Sequence, residues 1–507
     1  MVVTDTPSRP VPPLRRGLVA ALAGAVVAGL LGWLLAPAPS TPGPETTGDP
    51  ALAEWLRAQA GPGRHGLVAA VVRDGQVTAA GIGDDGHGEP VGATTPFEIG
   101  SITKTFTGAL LVELERRGVV RADDRVRDVV PDRAWRPGGV GDVTLAELAS
   151  HRSGLPRLAT GPAAGLSLWA RNIAGFSPYD SSVEELFTAA DRAELTGRGE
   201  YLYSNLGSAL LGQALAARAG TPYPQLVSDL VTAPLGMTGT AVLDAPPPGA
   251  ARSHDLAGRP RAVWTSEGDA PAGIGVWSTA EDLVRYVGAL DDPASAVAEA
   301  ARPRFDSDLG QVGYGWETLT AEGRTFLWKN GGVAGTWATI LTEPARGQAV
   351  VVFGNSTLPV DDLAVRLLDV PSPFTGGDEE ADADVAAALL PLGVGAVFPL
   401  LGGLSTLVAA RGGWRGRRPV NRLEFLGSAG TGLFFLAATY SLGGVAWVLV
   451  APWLAGCVAF GAGVGLAAVR WAGWDGERSA ARWANAAFGV VLGVGLTGAV
   501  TVAALLA

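Results

Sequence analysis

Hydrophobic positions fall into three regimes along this chain. Residues 17–36, GLVAALAGAVVAGLLGWLLA, form an uncharged apolar run behind Arg9, Arg15 and Arg16. Twenty such residues can cross a bilayer, whereas the apolar core of a cleavable signal is usually shorter. The run therefore reads as a retained anchor, and an Ala36-Pro37-Ala38 site keeps the cleaved signal as the alternative. In the middle of the chain the pattern becomes mixed. GLVAAVVRDGQVTAAGIG (66–83) is two strand-like runs joined by Asp74-Gly75, a hairpin signal. SITKTFTGALLVELERRG (101–118) has helical spacing, with Phe106, Leu110, Leu111 and Leu114 in one stripe and Gly118 as its stop. Ser278-Thr279-Ala280-Glu281 reads as a capping box opening a second helix. From 313 to 354, GYGWETL, RTFLWK, WATILTE and QAVVVFGN are short strand-like segments divided by turn residues, as in an antiparallel meander. Strands at both ends with helices between predict an α+β fold whose terminal strands share one sheet.

The third regime is apolar again. Stretches at 385–409, 424–440, 444–469 and 484–507 predict four more membrane helices. The connections RGGWRGRRPVNR (411–422) and WAGWDGERSAARW (471–483) are rich in arginine, with Arg478 and Arg482 following Arg470. Under the positive-inside rule both face the cytoplasm, as do the arginines before residue 17, which puts the middle of the chain outside. The expected organisation is a cytoplasmic N-terminus (1–16), a transmembrane anchor or signal (17–36), a Pro/Thr/Gly linker (37–50), one folded domain (51–370), an acidic linker (371–384) and four transmembrane helices (385–507).

Composition sharpens this picture. The 507 residues are 48% hydrophobic with mean hydropathy +0.25, high for a purely soluble protein. Between residues 45 and 384 stand 45 acids against 27 bases, a net of −18, which argues against nucleic-acid or anionic-lipid binding through bulk charge. Cys457 is the single cysteine, so no internal disulfide forms. Four histidines without a CxxC or HExxH pattern point to no metal, and no cofactor is expected.

Of 38 basic residues only Lys104 and Lys329 are lysine. Lys104 stands three residues after Ser101, so on a helix its amine reaches the serine hydroxyl. Ser101 is at the helix start, where the dipole favours developing negative charge. A lysine amine can accept the serine proton once burial or a second cation lowers its pKa; a guanidinium cannot. Within GEYLYSNLGSALLGQAL (199–215), Tyr203 offers a phenol to shuttle the proton and Asn205 an amide to hold a substrate carbonyl or the lysine. In FLWKNGGVAGTWA (326–338), Lys329 ends a strand and precedes Asn330, Gly331 and Gly332. There a cation can receive a substrate carboxylate, and glycine lets a substrate backbone come close.

These three motifs, in this order, resemble the serine β-lactamase and penicillin-binding-protein superfamily, and most closely class C β-lactamases, DD-peptidases and related esterases. The resemblance covers about residues 50–360 and takes in LASHRSGLPRL (148–158) and PAGIGVWSTAEDL (271–283). It implies an antiparallel sheet flanked by helices plus an all-helical domain. It makes Ser101 the acylated nucleophile, Lys104 its base partner, Tyr203 the proton shuttle, Asn205 a substrate and lysine contact, and Lys329 the lysine of a KTG-like motif. The backbone N–H groups of Ser101 and Gly332 would form the oxyanion hole. The chain departs from the family in carrying Asn330 where that motif has Thr. His151 reads as a buried structural hydrogen-bonder, and the absence of GxSxG disfavours a Ser-His-Asp hydrolase.

The function expected is a membrane-anchored acyl-serine hydrolase working outside the cytoplasm on cell-wall D-amino-acid peptides, β-lactams or small esters. Its partners would be a small-molecule or peptide substrate bearing a carboxylate, the membrane, and a membrane partner for the C-terminal helices. The alternative is a sensor that acylates slowly and signals through those helices. A third reading, a scaffold without catalysis, is disfavoured by the intact Ser101, Lys104, Tyr203 and Lys329.

Overall fold

The computed structural model describes residues 14–158, 177, 179–307, 310–333, 335–370, 378–413, 420–474 and 479–506. Expectations for residues 1–13 with Arg9, for 371–377, for 414–419 and for Arg478 lie outside these. The chain forms two compact units, one of residues 40 to 385 and one of the first helix with the residues from 386 on.

The first unit is built on a nine-stranded antiparallel sheet. Its strands are β1 (Thr46–Gly48), β2 (Leu67–Arg73), β3 (Gln76–Ile82), β7 (Phe305–Ser307), β8 (Gly310–Val312), β9 (Glu317–Ala321), β10 (Arg324–Val333), β11 (Thr336–Glu343) and β12 (Gln348–Gly354). The order is β1-β3-β2-β12-β11-β10-β9-β8-β7, so the expected terminal strands do share a sheet through β2 and β12. A three-stranded sheet of β4 (Phe97–Glu98), β5 (Ala241–Val242) and β6 (Val276–Ser278) lies apart. The β2–β3 hairpin turns where expected: Arg73 pairs with Gln76, and Asp74 and Gly75 both take positive φ, as a two-residue type I′ turn requires.

Both faces of the large sheet are covered, which explains why β2 reads as continuous apolar sequence rather than alternation. Leu67, Ala69 and Val71 join Val350, Val352 and Leu341 in one core, packed under α2 (Pro50–Gln59) and the later helix Asp361–Leu367. Val68, Ala70, Val351 and Phe353 face a second, larger core with α3 (Thr103–Arg116), α4 (Leu145–Ala149), α5 (Val183–Arg192), α6 (Asn205–Ala219) and α7 (Ala280–Gly288). Helix α3 ends as predicted, with Gly118 at φ 69°. The start of α7 corrects the sequence reading. Its cap is Thr279, which accepts from the Asp282 amide, while Ser278 belongs to β6. Strand pairing with β4 holds Ser278 extended, so the cap falls one residue later.

Helix α8 (Asp361–Leu367) closes the first unit. In the second unit, α1 (Leu14–Leu35), α9 (Asp378–Arg411), α10 (Arg422–Ser441), α11 (Val450–Arg470) and α12 (Ala480–Leu506) stand at the five expected apolar stretches. Two boundaries differ. Helix α9 begins at Asp378, within the residues assigned to the linker. The stretch 444–469 is broken at Leu449, because Pro452 has no N–H and its ring would strike the Val448 carbonyl if the helix continued. By length and composition Arg16–Leu35, Gly393–Arg411 and Val450–Gly473 are apolar enough to cross a membrane. Helices α1 and α11 meet through small residues: a Cβ on Gly24 would strike the Gly461 carbonyl, and Trp453 Nε1 donates to Gly32 O at 2.8 Å.

Candidate active site

Strand β4 delivers the chain to Ile99, whose N–H donates to Val276 O at 2.9 Å, and a single 3₁₀ turn, Gly100–Ile102, carries Ser101 into α3. Ser101 stays half-buried while Lys104, on the first turn of α3, is 3% exposed. The Lys104 Nζ donates to Ser101 Oγ at 2.8 Å and to the Ala272 carbonyl at 2.7 Å. From another element the Tyr203 hydroxyl also donates to Ser101 Oγ, at 2.8 Å. Tyr203 is placed by its neighbour: Ser204 caps α6, its Oγ accepting from the Gly207 amide at 2.9 Å and donating to Pro156 O at 2.8 Å. The Tyr-Ser-Asn sequence is thus a cap with the phenol just outside the helix.

Lys329 reaches the same place from β10. Its ammonium is 4.9 Å from the Tyr203 ring centre and 3.6 Å from Glu317 Oε1, which also accepts from the Tyr201 hydroxyl at 2.9 Å. Strand β9 pairs with β10 only over Arg324–Trp328, so from Lys329 onward that edge of β10 is turned to the nucleophile instead. The approach is close enough to require glycine: a Cβ on Gly331 would strike Ile99 O and the Ser101 nitrogen, and one on Gly273 would strike the Gly100 carbonyl. The Gly332 nitrogen lies beside Gly100, the residue before Ser101.

Burial, reinforced by the neighbouring Lys329, brings the Lys104 amine down to about 8. Burial alone would raise the Tyr203 phenol; the charges of Lys104 and Lys329 outweigh it and hold the phenol below its ordinary value. An amine near neutrality and an acidified phenol on one hydroxyl oxygen can pass a proton among three atoms. His151 is kept neutral by burial and by the surrounding cations. Its Nδ1 accepts from the Ser204 amide at 3.2 Å and its ring lies 4.5 Å from that of Tyr203, a structural position as expected.

The structure therefore assembles Ser101, Lys104, Tyr203, Lys329, Gly331 and Gly332 around one point. Two expectations are corrected. Among the described residues Asn205 makes no hydrogen bond to Lys104, whose side-chain bonds go to Ser101, Ala272 and the phenol; Asn205 sits at the start of α6 beside Tyr179, and its buried Oδ1 has no hydrogen-bond partner among those residues. Asn330 points to the other side of β10, where its side chain joins Trp328, Trp337 and Thr339 in hydrogen bonding Asp361. The period of two along a strand puts neighbours on opposite faces, and Lys329 already faces the nucleophile. Ala272, Glu317, Tyr201 and Arg157 were not singled out from sequence. PAGIG was the available signal for Ala272, SGLPRL for Arg157 and GEYLYSN for Tyr201; Glu317 has no local mark.

The beta-lactamase family model matches residues 52–372. Among curated proteins, D-alanyl-D-alanine-carboxypeptidase/endopeptidase AmpH of Escherichia coli (strain K12) is 28% identical over 341 residues, covering 61% of this chain and 86% of that protein. A beta-lactamase of Pseudomonas fluorescens is 25% identical over 340 residues, covering 58% and 89%. Among solved structures, a class C beta-lactamase from Rhodobacter sphaeroides superposes with TM-score 0.52 at 23% identity over 67% of this chain and 98% of that one. A beta-lactamase/D-alanine carboxypeptidase from Pseudomonas syringae gives 0.54 at 20%, over 64% and 98%. The structures bear on the fold, the family model on descent. With a match across the whole of the folded domain, this chain belongs to the beta-lactamase family.

Proposed function

We propose that the chain is a membrane-anchored, extracytoplasmic acyl-serine hydrolase that cleaves amide or ester bonds through a covalent Ser101 intermediate. The observation that carries this is the meeting of Lys104 Nζ and Tyr203 OH on Ser101 Oγ, each at 2.8 Å. With Lys104 neutral, the Ser101 proton passes to the Lys104–Tyr203 pair as Oγ bonds the substrate carbonyl carbon. The oxyanion is received by the Ser101 and Gly332 amides. Collapse breaks the bond to the leaving group, which takes the proton from Tyr203, and water attacking the acyl-enzyme reverses the roles. Cell-wall D-amino-acid peptides, β-lactams and small esters share this chemistry, and the AmpH likeness favours the first. The three apolar helices and the arginine-rich connections support a multi-pass membrane protein with this domain outside.

The test is intact mass of the full chain in detergent after incubation with a penicillin or with a fluorophosphonate, beside Ser101→Ala. The expected result is an adduct from each reagent that Ser101→Ala abolishes. An adduct from fluorophosphonate alone moves the reading to an esterase or peptidase that ignores lactams, and none from either rejects it. Adduct lifetime separates a hydrolase, which recycles, from a sensor, which stays acylated.

A further inference from the structure

We infer that the anionic group of the substrate is received by Arg157, and not by Lys329 and Asn330 of the third motif; this rests on the hydrolase reading above. Both third-motif groups are already engaged within the protein. Lys329 is 1% exposed with its ammonium set against the buried Glu317 carboxylate, and Asn330 is bound to Asp361 on the far side of the strand. The Lys329 charge is already balanced by a buried carboxylate, which weakens its pull on a second anion.

Arg157 has the opposite character. Its side chain is exposed, and its guanidinium carbon lies 5.1 Å from the centre of the Tyr203 ring, whose hydroxyl is on Ser101. Its backbone is fixed, because its carbonyl accepts from the Asn205 amide at 3.0 Å and the Leu206 amide at 3.3 Å at the start of α6. Among the described residues no carboxylate lies within ion-pair distance of it. It is thus a positioned cation at the mouth of the site, with two parallel N–H groups suited to a carboxylate. The anion assigned to it is one residue beyond the scissile bond. A terminal carboxylate there lies about 4 Å from the scissile carbonyl, and a charged hydrogen bond adds about 3 Å. The geometry points to peptides ending in a free amino-acid carboxylate, cleaved at the last bond.

The experiment is competitive protection of Ser101 in the full chain in detergent. The rate of fluorophosphonate labelling is measured against N-acetyl-D-Ala-D-Ala and against the same dipeptide with an amidated C-terminus. The readout is the ratio of the two inhibition constants within each variant, so that any change in labelling itself cancels. The wild-type chain is expected to prefer the free acid by roughly tenfold or more. Arg157→Ala and Arg157→Gln are expected to bring the ratio close to one, and Arg157→Lys to retain part of the preference. A wild-type ratio near one, or an acid preference that persists in Arg157→Ala and Arg157→Gln, overturns the assignment. Failure of Ser101 in the wild-type chain to take the label is a separate outcome: it rejects the hydrolase reading, and the Arg157 assignment falls with it.

Discussion

Lys104 can act as a base only while its amine is neutral, so its pKa near 8 makes the rate of Ser101 acylation a test of its role. The rate should rise with pH through an apparent pKa near 8 and level off above it, the value belonging to the coupled Lys104–Tyr203 pair. Lys329 helps to lower that pKa, so Lys329→Ala should move the rising limb to higher pH. Lys104→Arg should cost on the order of 10²-fold or more at every pH, since arginine never becomes neutral; stopped-flow acylation rates across pH decide both. Three residues upstream of the nucleophile, Glu98 is 0% exposed and burial pushes its carboxyl up to about 8. A folded pKa above the unfolded one of 4.5 contributes stability that is complete below pH 4.5 and is lost as pH rises through 8. At ~1.4 kcal/mol per pKa unit, the loss amounts to a few kcal/mol. Thermal unfolding should therefore show Glu98→Gln gaining on the wild-type chain between pH 5 and pH 8; parallel curves would reject a protonated Glu98.

At the scale of elements, the site is held by a helix cap and a strand edge. Ser204→Ala removes the cap of α6, which costs about 1 kcal/mol of stability. Because Tyr203 is the residue immediately before that cap, kcat should fall by more than the stability loss alone explains. On β10, Gly331→Ala should abolish Ser101 labelling, since the added methyl enters the space of Ile99 O and Ser101 N. Behind the same strand, Asp361 takes hydrogen bonds from Trp328, Trp337, Thr339 and Asn330 across β10 and β11. Asp361→Ala would leave these donors without their acceptor, a loss on the order of 2–4 kcal/mol, visible as a lowered melting temperature. The strands, turns and helix stops that carry these groups were legible because each has a local signature, as Asp74-Gly75 and Gly118 show. The cap of α7 was misplaced by one residue because pairing of Ser278 with β4 is a tertiary event.

For the molecule as a whole, the two units follow from two kinds of sequence, one mixed and acidic, the other apolar with arginine at its connections. Helix α1 lies against α11 backbone to backbone, with Trp453 bonded to Gly32 O. On the membrane reading, protein extracted from membranes should keep α1, and its intact mass should include residues 14–35; a mass that begins after Ala38 would show cleavage instead.

Spacing and scarcity can be read from the chain alone. Ser101 and Lys104 are one helical turn apart, the two lysines stand out among arginines, and the apolar runs have the length of a bilayer. Direction and company come from folding. Which face of β10 Asn330 takes, which carboxylate meets Lys329, and which cation remains exposed beside Tyr203 all depend on contacts between residues far apart in the chain. Glu317 carries no local mark of its role, because a charge acquires its function from the partner that folding brings to it or withholds.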